Sequence, residues 1–151
     1  KKFRTSGHLS RFVSDDRLFD FQSTIIKKLA DSESCIIVGK CADYVLKDYD
    51  NVVSVYVEAP RAYCLQRVME RMDDITLEEA DELITRTDKY RADYYKYYTG
   101  GNYWTNPVNY DITINNSRLG DEKSVQLILQ CMRIKFGDEW YEEYMKSIGK
   151  M

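Results

Sequence analysis

The chain predicts an α/β fold in which a parallel sheet lies between two layers of helices, a three-layer α/β/α arrangement. Three short runs of mostly β-branched apolar residues, at 35–38, 52–57 and 110–115, alternate with segments of helical periodicity. Near-continuous apolar runs are typical of strands buried on both faces of a parallel sheet. Their alternation with helices indicates crossover connections. At 151 residues and 44% hydrophobic composition, we expect one domain spanning 1–151.

The first helix is predicted after an irregular leader of about a dozen residues. Ser14, Asp15 and Asp16 can cap its N-terminus. Five apolar residues then share one helical face: Leu18, Phe21, Ile25, Ile26 and Leu29. A polar turn at 31–34 leads to the strand at 35–38, and a short helix is expected at 42–46.

The middle of the chain predicts a second strand and two helices. Pro60 follows the strand at 52–57 and marks a helix start, where a missing N–H costs little. That helix should bury a stripe made of Leu65, Val68, Met69 and Met72. Thr76 and Glu79 have the spacing of a capping box, and the helix they begin should run to about residue 98, before Gly100.

The last third predicts a strand at 110–115 and a helix from Gly120 onward. The apolar face of this helix comprises Val125, Ile128, Leu129, Met132 and Phe136. The tail at 138–151 is weakly amphipathic. Three strands make a thin sheet for this class, so the pattern suggests that a strand is missing.

Composition argues against several function classes. A net charge of -3 disfavours broad binding to nucleic acid or a membrane surface, and no apolar run approaches a membrane span. The four cysteines have no metal-ligand spacing, and His8 is the one histidine, so a zinc site and a Ser-His or Cys-His triad are disfavoured. We therefore expect a cytoplasmic protein with reduced thiols. Lys40 beside Cys41 could lower the pKa of that thiol, although no resolving cysteine is evident.

The first candidate site comprises Gly39, Lys40 and Asp43, directly after the strand at 35–38. Ligands of open α/β sheets bind beyond the carboxyl ends of strands. There Gly39 would allow a sharp turn, Lys40 would supply charge for a phosphate, and Asp43 could accept a hydrogen bond from a base or sugar. The alternative is a glycine that ends a strand, followed by two solvated charges.

Four arginines form the second candidate. Arg67 and Arg71 share a helix face, and Arg86 and Arg91 follow on the next helix. A guanidinium group can donate two parallel hydrogen bonds to phosphate oxygens, and four such groups could together neutralise a triphosphate. The favoured alternative is a solvated helix surface, with carboxylates as partners: Glu70, Asp74, Glu78 and Asp81.

An aromatic and basic run is the third candidate. Alternating aromatic and cationic side chains can stack bases and hold phosphates, although tyrosines at helical spacing more often pack. The run comprises Tyr90, Arg91, Tyr94, Tyr95, Lys96, Tyr97, Tyr98, Tyr103 and Trp104.

With these motifs in this order, the chain resembles the cytidylate kinase-like family of P-loop nucleotide kinases. The resemblance rests on residues 35–44, 68–71, 88–95 and 109–111 and covers roughly 17–135. It implies a P-loop kinase fold of the nucleoside monophosphate kinase type, with a helical lid at about 74–104 and a helical tail at about 138–151. The family usually has Arg where this chain has Lys40.

The resemblance also implies roles for the candidate residues. Gly39, Lys40 and Asp43 would bind the acceptor nucleotide. Arg67 and Arg71 would bind the ATP cofactor, and Arg86 and Arg91 in the lid would be catalytic. Mg²⁺ is implied as a second cofactor, with no metal ligand assigned in this chain.

The family's central strand and its phosphate-binding loop have no counterpart in these residues. No G-x-x-x-x-G-K-[ST] motif occurs, since Ser34 stands where the first glycine before Gly39-Lys40 would be. That strand would lie between those at 35–38 and 52–57. We expect an upstream segment or another element to fill the position, since a gap would leave backbone groups unpaired. Residues 1–151 alone should not transfer phosphoryl groups.

Three functions stay open. The first is ATP-dependent phosphoryl transfer to a small nucleotide, for instance a pyrimidine one. The second is a catalytically incompetent nucleotide-binding or scaffold protein on a kinase fold, which would bind nucleotide without turnover or form a homodimer through the aromatic run and the tail at Trp140 and Tyr141. The third, a single-strand nucleic-acid binder, is disfavoured by the acidic balance.

Overall fold

The computed structural model describes residues 14–149 as a mixed α/β fold that is mostly helical. The elements in chain order are α1 (Asp16–Ser32), α2 (Ala42–Val45), β1 (Val55–Glu58), α3 (Arg61–Arg71), α4 (Leu77–Tyr98), a 3-10 turn (Pro107–Asn109), β2 (Ile112–Asn115), α5 (Asn116–Phe136) and α6 (Asp138–Ser147). The predicted irregular leader, which includes His8, lies outside the described residues.

Two predicted helix starts, those of α1 and α4, are confirmed by their hydrogen bonds. The carboxylate of Asp15 accepts from the Leu18 N–H at 3.1 Å and caps α1. Thr76 and Glu79 form both bonds of a capping box: the Glu79 N–H donates to the Thr76 hydroxyl at 3.2 Å, and the Thr76 N–H donates to the Glu79 carboxylate at 2.9 Å. α4 then ends at Tyr98, as predicted.

The described sheet consists of β1 and β2, which pair in parallel. Val55 lies opposite Ile112, and Glu58 lies opposite Asn115. α5 packs against both strands, and Ile114 is only 1% exposed. Gly120 interrupts α5 with φ 75° and ψ 170°, a conformation essentially restricted to glycine. Regular helix therefore resumes after the glycine that was predicted to start it.

The prediction of a strand at 35–38 is wrong for the described structure. The segment joins α1 to α2 without regular structure, and Ile36 and Val38 are 94% and 85% exposed. A strand requires a ladder of hydrogen bonds to a neighbour, and no described strand pairs with this segment. The sheet of residues 14–149 therefore has two strands where three were predicted.

Two predicted apolar stripes are also only partly buried. On α1, Ile26 packs against Ala42 and Leu46 and forms the local core. Phe21 on the same helix is 64% exposed, because no described element covers it. On α3 no residue is fully buried, and Met69 is exposed. The sequence period predicted the helices correctly, but it overestimated the burial of their faces.

Candidate functional site

A left-handed turn directs the chain into α2. Gly39, Lys40 and Cys41 have φ angles of 72°, 59° and 55°. The Ala42 N–H donates to the Gly39 carbonyl at 3.1 Å and closes the turn. Left-handed backbone costs a residue with a side chain roughly 1–2 kcal/mol, and such strain is concentrated at functional sites. The sequence indicated the glycine turn, but it did not reveal that the next two residues share it.

The two side chains of this turn differ in their exposure to solvent. Cys41 is 4% exposed, whereas Lys40 points to solvent. Burial, reinforced by the nearby Asp43 carboxylate, raises the pKa of the Cys41 thiol to about 12. The expected lowering by Lys40 is therefore wrong, because loss of hydration outweighs a solvated cation. The thiol stays protonated at neutral pH.

Asp43, in the first turn of α2, is bonded to a tyrosine of α4. The hydroxyl of Tyr95 donates to Asp43 Oδ2 at 2.6 Å. Burial and this bond to Asp43 raise the pKa of Tyr95. Tyr110 lies near the same carboxylate, and burial followed by the Asp43 charge raises its pKa as well. Both phenols therefore remain hydrogen-bond donors throughout the physiological pH range.

Three aromatic side chains form a continuous surface beside Asp43, which we call the aromatic wall: Tyr56, Trp104 and Tyr110. Tyr56 of β1 stacks on Tyr110 with a centroid distance of 5.2 Å and meets Trp104 edge-on at 5.5 Å. The Tyr110 hydroxyl donates to the Trp104 carbonyl at 2.6 Å. The wall thus joins the sheet to the segment after α4.

Arg91 lies against the aromatic wall. Its guanidinium carbon is 6.0 Å from the Trp104 ring centroid, and its Nη1 atom is 3.1 Å from Asp88 Oδ1. The pKa of the Tyr56 phenol is raised chiefly by burial; the charge of Asp88 raises it further, and the charge of Arg91 lowers it. Arg91 is thereby brought into the same cluster as Asp43.

Arg86 is directed elsewhere. At about 100° per residue, Arg86 lies roughly 180° around α4 from Tyr95, whereas Arg91 lies within about 40° of it. Arg86 is exposed and makes no ion pair with any residue in 14–149. The structure therefore separates the two arginines that the resemblance places together in the lid.

The two arginines of α3 differ in whether they have a carboxylate partner. Arg67 pairs with Glu70 at 3.1 Å and approaches Asp121 of α5 at 3.6 Å. Arg71 is exposed and has no carboxylate partner among the described residues. The predicted pairing with Glu70 is thus seen for Arg67.

Sequence reasoning missed Arg61, which joins α3 to α4. Its Nε donates to Asp81 at 2.8 Å, and its Nη2 donates to the Thr85 hydroxyl at 2.6 Å. Asp81 and Thr85 are four residues apart and hence neighbours on one helix face. Two polar residues four apart on α4, with an arginine in the first turn of the preceding helix, were the sequence signal that could have predicted this contact.

Two tyrosines of the aromatic run, Tyr94 and Tyr98, pack against α1. Phe19 of α1 stacks on Tyr98 at 4.0 Å and meets Tyr94 edge-on at 6.3 Å. The Tyr94 hydroxyl donates to Gln22 at 3.2 Å. These contacts favour packing over base stacking for Tyr94 and Tyr98. Tyr90 and Tyr97, in contrast, are exposed, and Trp104 belongs to the aromatic wall.

Metal and membrane features are absent from the described part of the chain. Residues 14–149 contain no group of three His, Cys, Asp or Glu side chains arranged to hold a metal ion. None of the helices in that range is both long and apolar enough to cross a membrane.

Comparison with known proteins gives the relationship of the chain. A crystal structure of an uncharacterized protein from Eubacterium ventriosum is similar over 85% of this chain and 78% of that one, with a TM-score of 0.66 and 25% sequence identity. No protein of curated function matches. The profile of the cytidylate kinase-like family matches residues 1–118, which is most of the chain. This chain therefore belongs to the cytidylate kinase-like family.

Proposed function

We propose that this chain is the greater part of a nucleotide kinase that transfers the γ-phosphoryl group of ATP to a small nucleotide such as CMP. Family membership supports the reaction class. The observation that carries the proposal is that Asp43 and Arg91 lie near the same aromatic wall: Asp43 is near Tyr110, and Arg91 lies over the Trp104 ring. A carboxylate, a cation and aromatic faces are complementary to the amino or hydroxyl donors, the phosphate and the base of a nucleotide.

The residues would act by positioning and by charge. Lys40, exposed on its left-handed turn, would attract the acceptor phosphate. Asp43 would accept a hydrogen bond from the base or sugar. Arg91 would exchange its exposed Asp88 partner for phosphoryl oxygens, since exposed ion pairs contribute little stability. Such transfer depends on alignment and electrostatic stabilisation rather than a covalent intermediate.

The other candidate arginines would contact different groups from Arg91. Arg71 and Arg86 are solvent-exposed and unpaired within residues 14–149, so they are available to an anion. Arg67 and Arg71 would contact ATP. Arg86, the other lid residue that the resemblance implies, lies on the opposite face of α4 from Arg91 and Tyr95, so we assign the contact with the phosphoryl group to Arg91.

No protein ligands are assigned to Mg²⁺. Because no metal-holding group exists within residues 14–149, the described residues do not fit a resident metal ion. Magnesium is commonly held by substrate phosphates with only one or two carboxylates.

We also propose that the three-layer kinase fold is completed by a strand between 35–38 and β1. Ile36 and Val38 present unburied apolar surface, and β1 has a second edge without a described partner. The glycine-rich phosphate loop would accompany this strand. The intact mass of the protein from its natural source, compared with 17.8 kDa for these 151 residues, determines whether a further segment carries it.

Replacing Arg91 tests the reaction. In the intact protein we expect Arg91→Ala to lower CMP phosphorylation by about a hundredfold or more, in the range for loss of a charge-stabilising group. Arg133→Ala is the matched control, because Arg133 also pairs with a carboxylate (Asp138) and lies over an aromatic ring (Tyr141), but at the junction of α5 and α6. Phosphate transfer from ATP is measured, and circular dichroism checks folding.

A scaffold or binding role is the second candidate. It is favoured by the carboxylate partners that Arg67 and Arg91 already have. In that case the intact protein binds CMP or ATP without turnover, and Arg91→Ala leaves its function unchanged. Equal turnover of wild type and Arg91→Ala would contradict the proposed kinase role of this residue.

A further inference from the structure

The hydrogen bond between Tyr95 and Asp43 links two parts of the chain that are 52 residues apart. Tyr95 is 6% exposed, so its ring is fixed by packing as well as by its hydroxyl. The bond uses only the Oδ2 atom of Asp43. Its Oδ1 atom accepts no hydrogen bond from a residue in 14–149, and the side chain is partly open to solvent.

The corner that carries Asp43 is itself well defined. The left-handed turn at Gly39, Lys40 and Cys41 is closed by a backbone hydrogen bond, and the Cys41 side chain is buried beneath it. Asp43 follows in the first turn of α2. A constraint on Asp43 is therefore also a constraint on the position of Lys40.

Tyr95 lies on the same face of α4 as Arg91. Residues four apart are neighbours on a helix, so the Arg91 and Tyr95 side chains leave α4 on the same side. Arg91 reaches Trp104 while Tyr95 reaches Asp43. One helix face thus contacts the aromatic wall and the Lys40 corner together.

We infer that Tyr95 is a positioning residue: its hydroxyl orients the Asp43 carboxylate so that Oδ1 accepts a hydrogen bond from an amino or hydroxyl donor of the acceptor nucleotide. The inference rests on the proposed function. The raised pKa of Tyr95, caused first by burial and then by Asp43, keeps the phenol protonated in this role. Without the hydroxyl, Asp43 would turn toward water and lose its fixed direction.

Binding of CMP and ATP to Tyr95→Phe tests the inference by calorimetric titration of the intact protein. Phenylalanine keeps the buried ring and removes only the donor. We expect the CMP dissociation constant to rise about tenfold, in the range for a hydrogen bond to a charged group, while ATP binding stays unchanged. Tyr144→Phe is the control, since Tyr144 stacks on Trp140 of α6, remote from Asp43.

A double-mutant cycle with Asp43→Asn strengthens the test. Asn can still accept from Tyr95 but replaces one carboxylate oxygen with a donor, so it should weaken CMP binding alone. Adding Tyr95→Phe to Asp43→Asn should then cost less than it does in the wild type, because both changes disrupt one unit. Fully additive losses would overturn the inference.

The remaining outcomes separate the two proposals. If wild type binds CMP and Tyr95→Phe binds it equally well, the positioning role is wrong and the nucleotide site stands. If CMP and ATP affinity fall together with the melting temperature, Tyr95 is purely structural and the inference is overturned. If wild type binds neither nucleotide, the proposed function fails and this inference fails with it.

Discussion

Asp111 joins the start of the sheet to α5 through one side chain. Its Oδ2 atom accepts from the Ser54 N–H at 2.7 Å, and its Oδ1 atom pairs with Lys135 at 2.9 Å. The Asp111 N–H returns a bond to the Ser54 carbonyl at 3.0 Å. These contacts stabilise the residues immediately before β1 and β2, so the strands enter the sheet side by side.

Asp111 should make stability depend on pH. Burial raises the pKa of Asp111, but the bonds from Ser54 and Lys135 outweigh it and hold the pKa below its ordinary value. A lowered native pKa contributes stability above the unfolded pKa of about 4, and the contribution is lost as pH falls through the native pKa. We expect Asp111→Asn to lower the free energy of unfolding by about 1 kcal/mol at pH 7 and by less at pH 3.

Urea unfolding at the two pH values measures this difference. Asp48→Asn serves as the control, because Asp48 is exposed and has no hydrogen bond or ion pair among residues 14–149. An Asp111→Asn effect of equal size at pH 3 and pH 7 would show that the carboxylate charge is not the cause.

At the scale of elements, α4 determines much of the site's geometry. It begins at a complete capping box and is joined to α3 by Arg61, to α1 by Tyr94 and Tyr98, and to α2 by Tyr95. Because one rigid helix makes all of these contacts, any motion of α4 would change the position of Arg91 relative to the Lys40 corner.

The capping box of α4 gives a direct stability prediction. Thr76→Ala removes the acceptor for the Glu79 N–H and should lower the free energy of unfolding by about 1 kcal/mol. Thr76→Ser keeps a hydroxyl and should retain most of that stability. Thermal or urea unfolding compares the three proteins; a Ser variant as unstable as the Ala variant would mean that the methyl group, rather than the cap, is important.

At the scale of the whole molecule, the two-stranded sheet leaves apolar surface without a partner. Residues 35–38 have strand-like sequence but no ladder, whereas β1 and β2 pair over four positions. Short parallel sheets of this size depend on helices for stability, and here α5 provides that cover. The proposed further strand would connect these two regions into one sheet.

Hydrogen exchange distinguishes the states of this region. In the 151-residue chain we expect amides 36–38 to exchange within about tenfold of unprotected rates, and the β2 amides to exchange far more slowly. The exposed segment has no hydrogen-bonded neighbour among described strands, whereas β2 is bonded to β1. Strong protection of 36–38 in this chain would contradict the described geometry, and protection gained only in a longer protein would support the proposed strand.

Prediction from sequence succeeded for the features that depend on near neighbours. The caps at Asp15 and Thr76, the end of α4 and the glycine turn at Gly39 all involve interactions within about four residues. The proximity of Gly39, Lys40 and Asp43 was predictable for the same reason, since they belong to one short segment. Arg86 shows the limit, because its motif does not reveal which side of α4 faces the site.

Local sequence patterns were sufficient to predict most helix positions, the parallel pairing of β1 with β2 and the family motifs, since periodicity, caps and turn residues are local properties of the chain. Three features became evident from the folded chain alone: 35–38 has no ladder among the described strands, Cys41 is buried with a raised pKa, and Tyr95 donates a hydrogen bond to Asp43. The physical reason is that pairing, burial and long-range hydrogen bonds depend on residues distant in the chain.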